Sequence, residues 1–447
     1  MAHSRIAGFF RLSLQERRER ILSTLGLPVD RDEPDAVGPE GVWDSGGIDC
    51  DRADQIVENV LGIYALPFGV ALNAVINEKD RLIPFVVEEP SVIAAASNAC
   101  KMIRAGGGFR AEMTEALMIG QVELRDVGDV ELACQSLLQQ KPSILEAASD
   151  SLSGLVRRGG GPRELEVRQI GPHHLVVHLL IDCCDAMGAN LVNTAVEAVG
   201  PLIAQVAQAD LGLRILSNLA DRRMVRVSAR VPGRVLLSSN EEAENARRVV
   251  QEIEAASLFA ERDAYRAATH NKGIMNGVDS VVIATGNDYR AVEAGAHAYA
   301  ARCGAYRPLA TWKSEGETLV GELVMPLALG IVGGTLRVHP GARLGLALSE
   351  AKKADDLALL AGCAGLASNL AAIRALATEG IQRGHMSLHA RSVAICAGAK
   401  AEEVNQVAAA IARQGQVTLE RAKQALGNLR AAAGAAGGPG SNHGEQT

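Results

Sequence analysis

The chain has 447 residues, 48% hydrophobic and only 3% aromatic, enough for two or three domains around a core of alanine, leucine, valine and isoleucine. With 45 basic against 52 acidic residues its net charge is −7, so it carries no basic field for nucleic acid, and any anionic ligand must be met by local lysines, arginines and helix N-termini. Its eight cysteines form no CxxC pair and no signal-type segment opens the chain. The closest approach to a membrane span, 323–336, is broken by Pro326, Gly330, Gly333 and Gly334, so a cytoplasmic chain with reduced thiols and no membrane partner is expected.

In chain order, Ser13 and Glu16 fit a capping box, which predicts a helix over 14–25. Residues 28–48 read as a loop, and 52–62 as an amphipathic helix broken at Leu66-Pro67-Phe68-Gly69. Strands are predicted over 70–76 and 82–87, joined by a turn at 77–80. Glu88-Glu89-Pro90-Ser91 then ends the second strand and starts a helix that stops before Gly106. From about 112 to 220, alternating segments at 121–124, 164–168 and 174–181, with helical segments at 130–150 and 188–207, give the β-α-β-β-α-β order of a ferredoxin-like insert. After it come a strand over 225–231, a charged helix over 240–256 and the stretch Tyr265–Arg290. Within that stretch, Val278–Ala284 is short and β-branched and reads as a buried strand. Lys272 then falls in a glycine-flanked loop before the strand, and Asp288 just after it, ahead of a helix over 289–301. Residues 349–378 have a long helical pattern, a helical part follows from Gln382, and 431–447 are low in complexity and expected to be disordered.

The residues with chemical potential each have a plain reading beside the functional one. If the loop before the strand folds back, Lys272 and Asp288 meet as an ammonium–carboxylate pair able to stabilise an oxyanion; otherwise they are a surface lysine and a helix cap. Glu88 and Glu89 point to opposite faces of a strand, so one can be buried and hold a proton near neutrality, or both are solvated acids ahead of a helix. His385 and His389 share a helical face, but Met386 breaks HExxH and no third ligand is evident, so no metal is expected. No G-x-G-x-x-G follows a strand, which argues against a Rossmann domain. Instead Asp185-Ala186-Met187-Gly188-Ala189-Asn190 joins a strand to a helix, where Gly188 allows close backbone approach and the helix start can hold a pyrophosphate; the plain reading is a helix capped by Asn190.

The strings ATHNKGIMNG, ATGND, ENVLGIYALPFGVALNAVIN, VVEEPSVIAAAS, DAMGANLVNT, LRILSNLAD and ATEGIQRGHMSLHAR, in this order-rich set from about Leu12 to Arg430, resemble 3-hydroxy-3-methylglutaryl-CoA (HMG-CoA) reductase in its soluble bacterial class II. The resemblance implies an α+β fold: a large mixed domain (1–113 and 222–381) binding CoA and the HMG group, an inserted small non-Rossmann cofactor domain (114–221), a mobile helical flap (382–430) and a tail (431–447). It assigns catalysis to Glu89 as proton donor, Lys272 as oxyanion stabiliser, Asp288 as tuner of the network and His385 as the acid for the CoA thiolate. It places the nicotinamide cofactor on Asp185–Asn190. For the coenzyme, an ungapped alignment sets Leu152 where NAD-using members carry an acid, with Asp150 two residues earlier and Arg157 and Arg158 nearby; NAD is favoured, with NADP open. Arg266, Asn276, Ser91, Ser217, Asn218 and Asn59 are implied substrate contacts, Asn59 from a segment near a dimer interface. The expected activity interconverts HMG-CoA and mevalonate plus CoA in a homodimer or larger assembly, either direction being open. The rivals are another CoA-thioester oxidoreductase on the same scaffold and a non-catalytic CoA-binding protein.

Overall fold

The computed structural model describes residues 4–26, 47–237, 243–378, 390–413 and 417–436. Contacts divide the chain into two compact units: one runs to Arg374, and the other gathers the chain from Ala375 on together with the short segment Glu89–Ser91.

The first unit opens with α1 (Leu14–Leu25), whose Ser13 and Glu16 form the expected capping box, and α2 (Cys50–Ile56), which stops well short of the predicted end at 62. Then follow β1 (Phe68–Ile76), β2 (Lys79–Val86), α3 (Val92–Arg104) and β3 (Phe109–Met113). The inserted region is built from β4 (Leu117–Arg125), α4 (Val130–Gln139), α5 (Lys141–Ser151), β5 (Gly161–Gly171), β6 (His174–Asp182), α6 (Ala189–Ala207) and β7 (Asp210–Ser217). Its sheet has the order β5-β6-β4-β7 with all neighbours antiparallel, which is the split βαβ arrangement the sequence order implied. One face carries Val122, Leu124, Leu165, Val177, Leu179 and Ile181 into a core shared with α4, α5 and α6. The single helix expected over 130–150 is two, interrupted at Gln140.

The chain then returns through β8 (Met224–Pro232), α7 (Ala246–Arg262), α8 (Ala264–Ala284), α9 (Tyr289–Ala300), β9 (Ala310–Glu315), β10 (Thr318–Pro326), α10 (Pro340–Ser349) and α11 (Ala354–Ala377). A mixed sheet of order β2-β1-β3-β8-β10-β9 carries these helices.

One sequence expectation is overturned here. Val278–Ala284 is no strand, and Lys272 is in no loop: both belong to the 21-residue helix α8. The helical period runs straight through Gly273 and Gly277, with Ala267, Ile274, Met275, Val278, Val281 and Val282 all buried. Tertiary packing overrides the β-branched run, because a Cβ on Gly277 would come 2.2 Å from the Ala364 carbonyl oxygen. Gly277 therefore lets α11 lie directly on α8. Helix α11 is itself long and apolar enough to meet the length and composition of a membrane span, which the sequence reading passed over; 78% of its most apolar window is buried inside the unit, as in a core helix.

The second unit has its own small core. Ala390 and Ala394 pack with Val407 and Ile411 of α12 (Ala401–Arg413) and with Ala422 and Leu426 of α13 (Leu419–Ala436). Helix α13 extends through 431–436, which the sequence reading had expected to be disordered; the rest of that tail lies outside the described residues.

Candidate active site

The axis of the site is α8. Its N-cap Asp263 accepts from the Arg266 amide at 2.8 Å, which starts the helix. Most of its circumference is buried, yet Lys272 is exposed, and half-buried Asn276 sits four residues on, over the same face. Arg266, six residues before Lys272, is turned about 120° from it around the helix. Partial burial lowers the pKa of the Arg266 guanidinium. His270 is buried with Nε2 at 3.0 Å from the Ala310 carbonyl; burial and the nearby Arg266 push it down to about 4, so it stays neutral at physiological pH.

Asp288 caps the next helix, accepting from the amides of Arg290 and Ala291, both at 3.1 Å, and its side chain is 45% exposed. The fold-back that would bring it to Lys272 does not occur within one chain. Twelve residues of α8 separate Lys272 from the helix end, a rise of about 18 Å, and Asp288 lies beyond that end.

Asp288 is nevertheless tied, through its neighbour, to the Asp185–Asn190 loop. Its neighbour Asn287 donates to the Gly330 carbonyl at 3.0 Å and accepts from the Gly330 amide at 2.8 Å. The Ile331 amide donates to the Asp185 carbonyl at 2.9 Å, and Ala186 pairs with Val332 as a parallel bridge. The Asp185 carboxylate accepts from the Ala354 amide at 2.8 Å, at the start of α11. Fully buried Arg223 reaches up to the carbonyls of Ala186 (3.1 Å), Met187 (3.4 Å) and Leu329 (2.7 Å).

The loop itself has the form an anion needs. Gly188 caps α6 at φ 106° with no side chain on the free amides, so the plain reading of a helix capped by Asn190 does not hold. A Cβ at Gly188 would meet the Cys183 sulfur at 2.4 Å; the backbone lies as close as only glycine permits. Helix α6 thus offers unpaired amide donors at Ala189 and exposed Asn190, a fit for a dinucleotide pyrophosphate.

The other expected residues are placed as follows. Glu89 is half-buried and Glu88 exposed, in the turn after β2. Ser91 holds a positive φ of 80°, and its buried hydroxyl has no hydrogen-bond partner among the described residues. Ser217 ends β7 and accepts from the Leu219 amide at 3.2 Å, and Asn218 follows it, exposed. Asn59 has a φ of 58° in an exposed segment that also shows Val57, Leu61 and Tyr64 to solvent. Asp150 is exposed in the last turn of α5, whereas Leu152 is buried in the core and turns no side chain outward. Arg157 and Arg158 are exposed on the following turn, where the Arg158 carbonyl accepts from the Cys184 thiol at 3.8 Å, beside the cofactor loop. His385 and His389 lie outside the described residues. Sequence reasoning missed Asn287 and Arg223. Asn287 stood inside the ATGND string without a role, and nothing in Arg222-Arg223 distinguishes the buried arginine from its exposed neighbour.

Comparisons with known proteins converge. The family model described as hydroxymethylglutaryl-coenzyme A reductase matches residues 15–390. A 3-hydroxy-3-methylglutaryl-coenzyme A reductase of Archaeoglobus fulgidus is 45% identical over 96% of this chain and 95% of its own. A probable one of Borreliella burgdorferi is 33% identical over 76% and 77% of the two chains. Among solved structures, a 3-hydroxy-3-methylglutaryl-coenzyme A reductase from Streptococcus pneumoniae superposes with a TM-score of 0.79 at 40% identity, covering 95% of this chain and 99% of that one. A second structure, of the class II enzyme from the same organism bound to NADPH in open conformations, gives 0.78 at 40% identity over 83% and 99%.

Proposed function

The chain belongs to the hydroxymethylglutaryl-coenzyme A reductase family, and on that premise we propose that it interconverts HMG-CoA and mevalonate plus CoA, with Glu89, Lys272, Asp288 and His385 as its catalytic set. The observation that carries the reading is Lys272: a cation exposed on a helix that is otherwise mostly buried, with Asn276 on the same face.

The reaction in the reducing direction takes the thioester to a hemithioacetal, releases CoA to leave mevaldehyde, and reduces the aldehyde to mevalonate. Bound at the Asp185–Asn190 loop, the reduced nicotinamide would supply a hydride at each reduction. Lys272 stabilises the negative charge that gathers on the carbonyl oxygen, and Glu89 donates the proton that makes it a hydroxyl. Asp288 steadies the ammonium, and His385 protonates the departing thiolate. Arg266 receives the terminal carboxylate of the HMG group, and Asn276, Ser91, Ser217, Asn218 and Asn59 offer polar contacts.

Helix α8 rises about 18 Å from Lys272 to its end and Asp288 follows that end, so in this reading the site forms between two chains of a homodimer or a larger assembly. The exposed segment carrying Val57, Leu61 and Tyr64 supports such an interface. By family likeness, a flap from 382 onward closes over the site, excludes water and brings in His385. We place the enzyme in the cytoplasm, in keeping with its eight unpaired cysteines.

For the coenzyme, the first reading is NAD, with Asp150 accepting from the adenosine ribose. The second is NADP, favoured by exposed Arg157 and Arg158 beside the loop and by the burial of Leu152. The test is to mix the protein with mevalonate, CoA and either NAD or NADP and follow absorbance of the reduced nicotinamide. A CoA-dependent rise with at least one coenzyme is expected; no rise with either removes the reading.

A further inference from the structure

The strap that follows β10, residues 327–332, touches both halves of the chemistry. On one side it pairs with the cofactor loop, through Ile331 to the Asp185 carbonyl and the Ala186–Val332 bridge. On the other it is clasped by Asn287, whose amide meets both backbone groups of Gly330 at 2.8 and 3.0 Å. Beneath both lies Arg223. Its backbone carbonyl accepts from the Leu327 amide at 3.0 Å, and its guanidinium grips Leu329 on the strap and Ala186 and Met187 on the loop. The packing leaves no slack: a Cβ on Gly330 would come 2.5 Å from the Met187 amide nitrogen.

Burying an arginine with no carboxylate in ion-pair contact is costly even with Asp355, Asp182 and Asp185 acting on it from further off, and Arg223 also leaves its Nε without an acceptor among the described residues. Three carbonyls at 2.7–3.4 Å are what it receives in return. Those carbonyls belong to the two segments whose relative position decides where a nicotinamide ring would stand against Asp288. An ordinary buried apolar residue would fill the space without fixing that register.

We propose that Asn287 and Arg223 are positioning residues which, through the strap 327–332, set the dinucleotide loop Asp185–Asn190 in register with the turn that carries Asp288. This rests on the reading of that loop as the cofactor site. Neither side chain is assigned contact with substrate or cofactor. Each acts by holding backbone: Asn287 holds the strap to the Asp288 turn, and Arg223 holds the strap to the loop.

The test uses the full-length protein and titrates NADH and NADPH separately by fluorescence, beside steady-state kinetics. In Asn287→Ala, cooperative thermal unfolding is retained, the Kd and KM for the preferred coenzyme rise about ten-fold, the loss of about one backbone-fixing hydrogen bond, and KM for HMG-CoA stays at the wild-type value. Arg223→Lys, which reaches fewer carbonyls, shifts the same constants in the same direction; if it does not fold, Asn287→Ala decides alone. Coenzyme Kd and KM unchanged in Asn287→Ala, or a fall in kcat alone that tracks the folded fraction, overturns the proposal. Wild-type protein that binds coenzyme without turning over would contradict the proposed function and leave the binding comparison to judge this inference. Wild-type protein that binds neither coenzyme would overturn both.

Discussion

At the residue scale, two adjacent acids separate cleanly. Glu88 is exposed and Glu89 half-buried, as the alternation of a strand end implied, although they sit two and three residues past β2. Glu89→Gln is expected to lower kcat by roughly 10²–10⁴-fold, the usual worth of a general acid, while Glu88→Gln stays near wild type; steady-state kinetics on both variants checks the assignment. A second acid behaves differently. Asp279 on α8 is half-buried, and that burial, with a hydrogen bond and repulsion from Glu293 on α9, pushes its carboxyl up to about 8. The fold therefore favours the protonated acid. Its contribution is fully present below the ordinary carboxylate range and is lost as pH rises toward about 8. Asp279→Asn mimics the protonated form, so its Tm is expected to fall less than the wild-type Tm between pH 6 and pH 8; parallel melting curves across that range would refute the protonated assignment. The family resemblance singles out Glu89 as the acid before Pro90, whereas Asp279 is one more polar position in the stretch 265–290. Burial from other elements made it unusual, and one-dimensional spacing does not record that.

At the element scale, the motif strings identified the family while the local structure around Lys272 was misread. The β-branched run at 278–284 has strand chemistry, but its burial follows a helical period set by α11 packing on α8. The signal was present: apolar positions 267, 274, 275, 278, 281 and 282 repeat every three to four residues once Gly273 and Gly277 are read as contacts instead of breaks. Elsewhere the elements were legible where local chemistry is strong, as in the Ser13–Glu16 capping box and the alternation of β4, β5 and β6. The early end of α2 was not, because no glycine or proline stands at that point; the break at Gln140 was missed although Pro142, in the first turn of α5, marks it. The close approach of α8 and α11 gives a direct prediction. In Gly277→Ala the new methyl would stand 2.2 Å from the Ala364 carbonyl oxygen, so the helices must separate. A loss of about 1–3 kcal/mol is expected, read from denaturant unfolding at unchanged m-value; a wild-type midpoint would show that the two helices are not held together at this contact.

At the scale of the whole molecule, the distance between Lys272 and Asp288 decides the architecture of catalysis. The sequence left open that a fold-back across a strand brings the two together, but the helix rises about 18 Å from Lys272 to its end, ahead of Asp288, so the proposed function assigns their meeting to two chains. On that proposal each homodimer holds two sites, and each site takes its lysine from one protomer and its aspartate from the other. Co-expression of Lys272→Ala and Asp288→Asn chains under two different tags, followed by purification through both, yields mixed dimers in which one site is whole and the other doubly damaged. The account predicts that these recover about half of the wild-type turnover of HMG-CoA, whereas each parent homodimer has almost none. Mixed dimers as inactive as their parents, beside a fully active wild type, would contradict it.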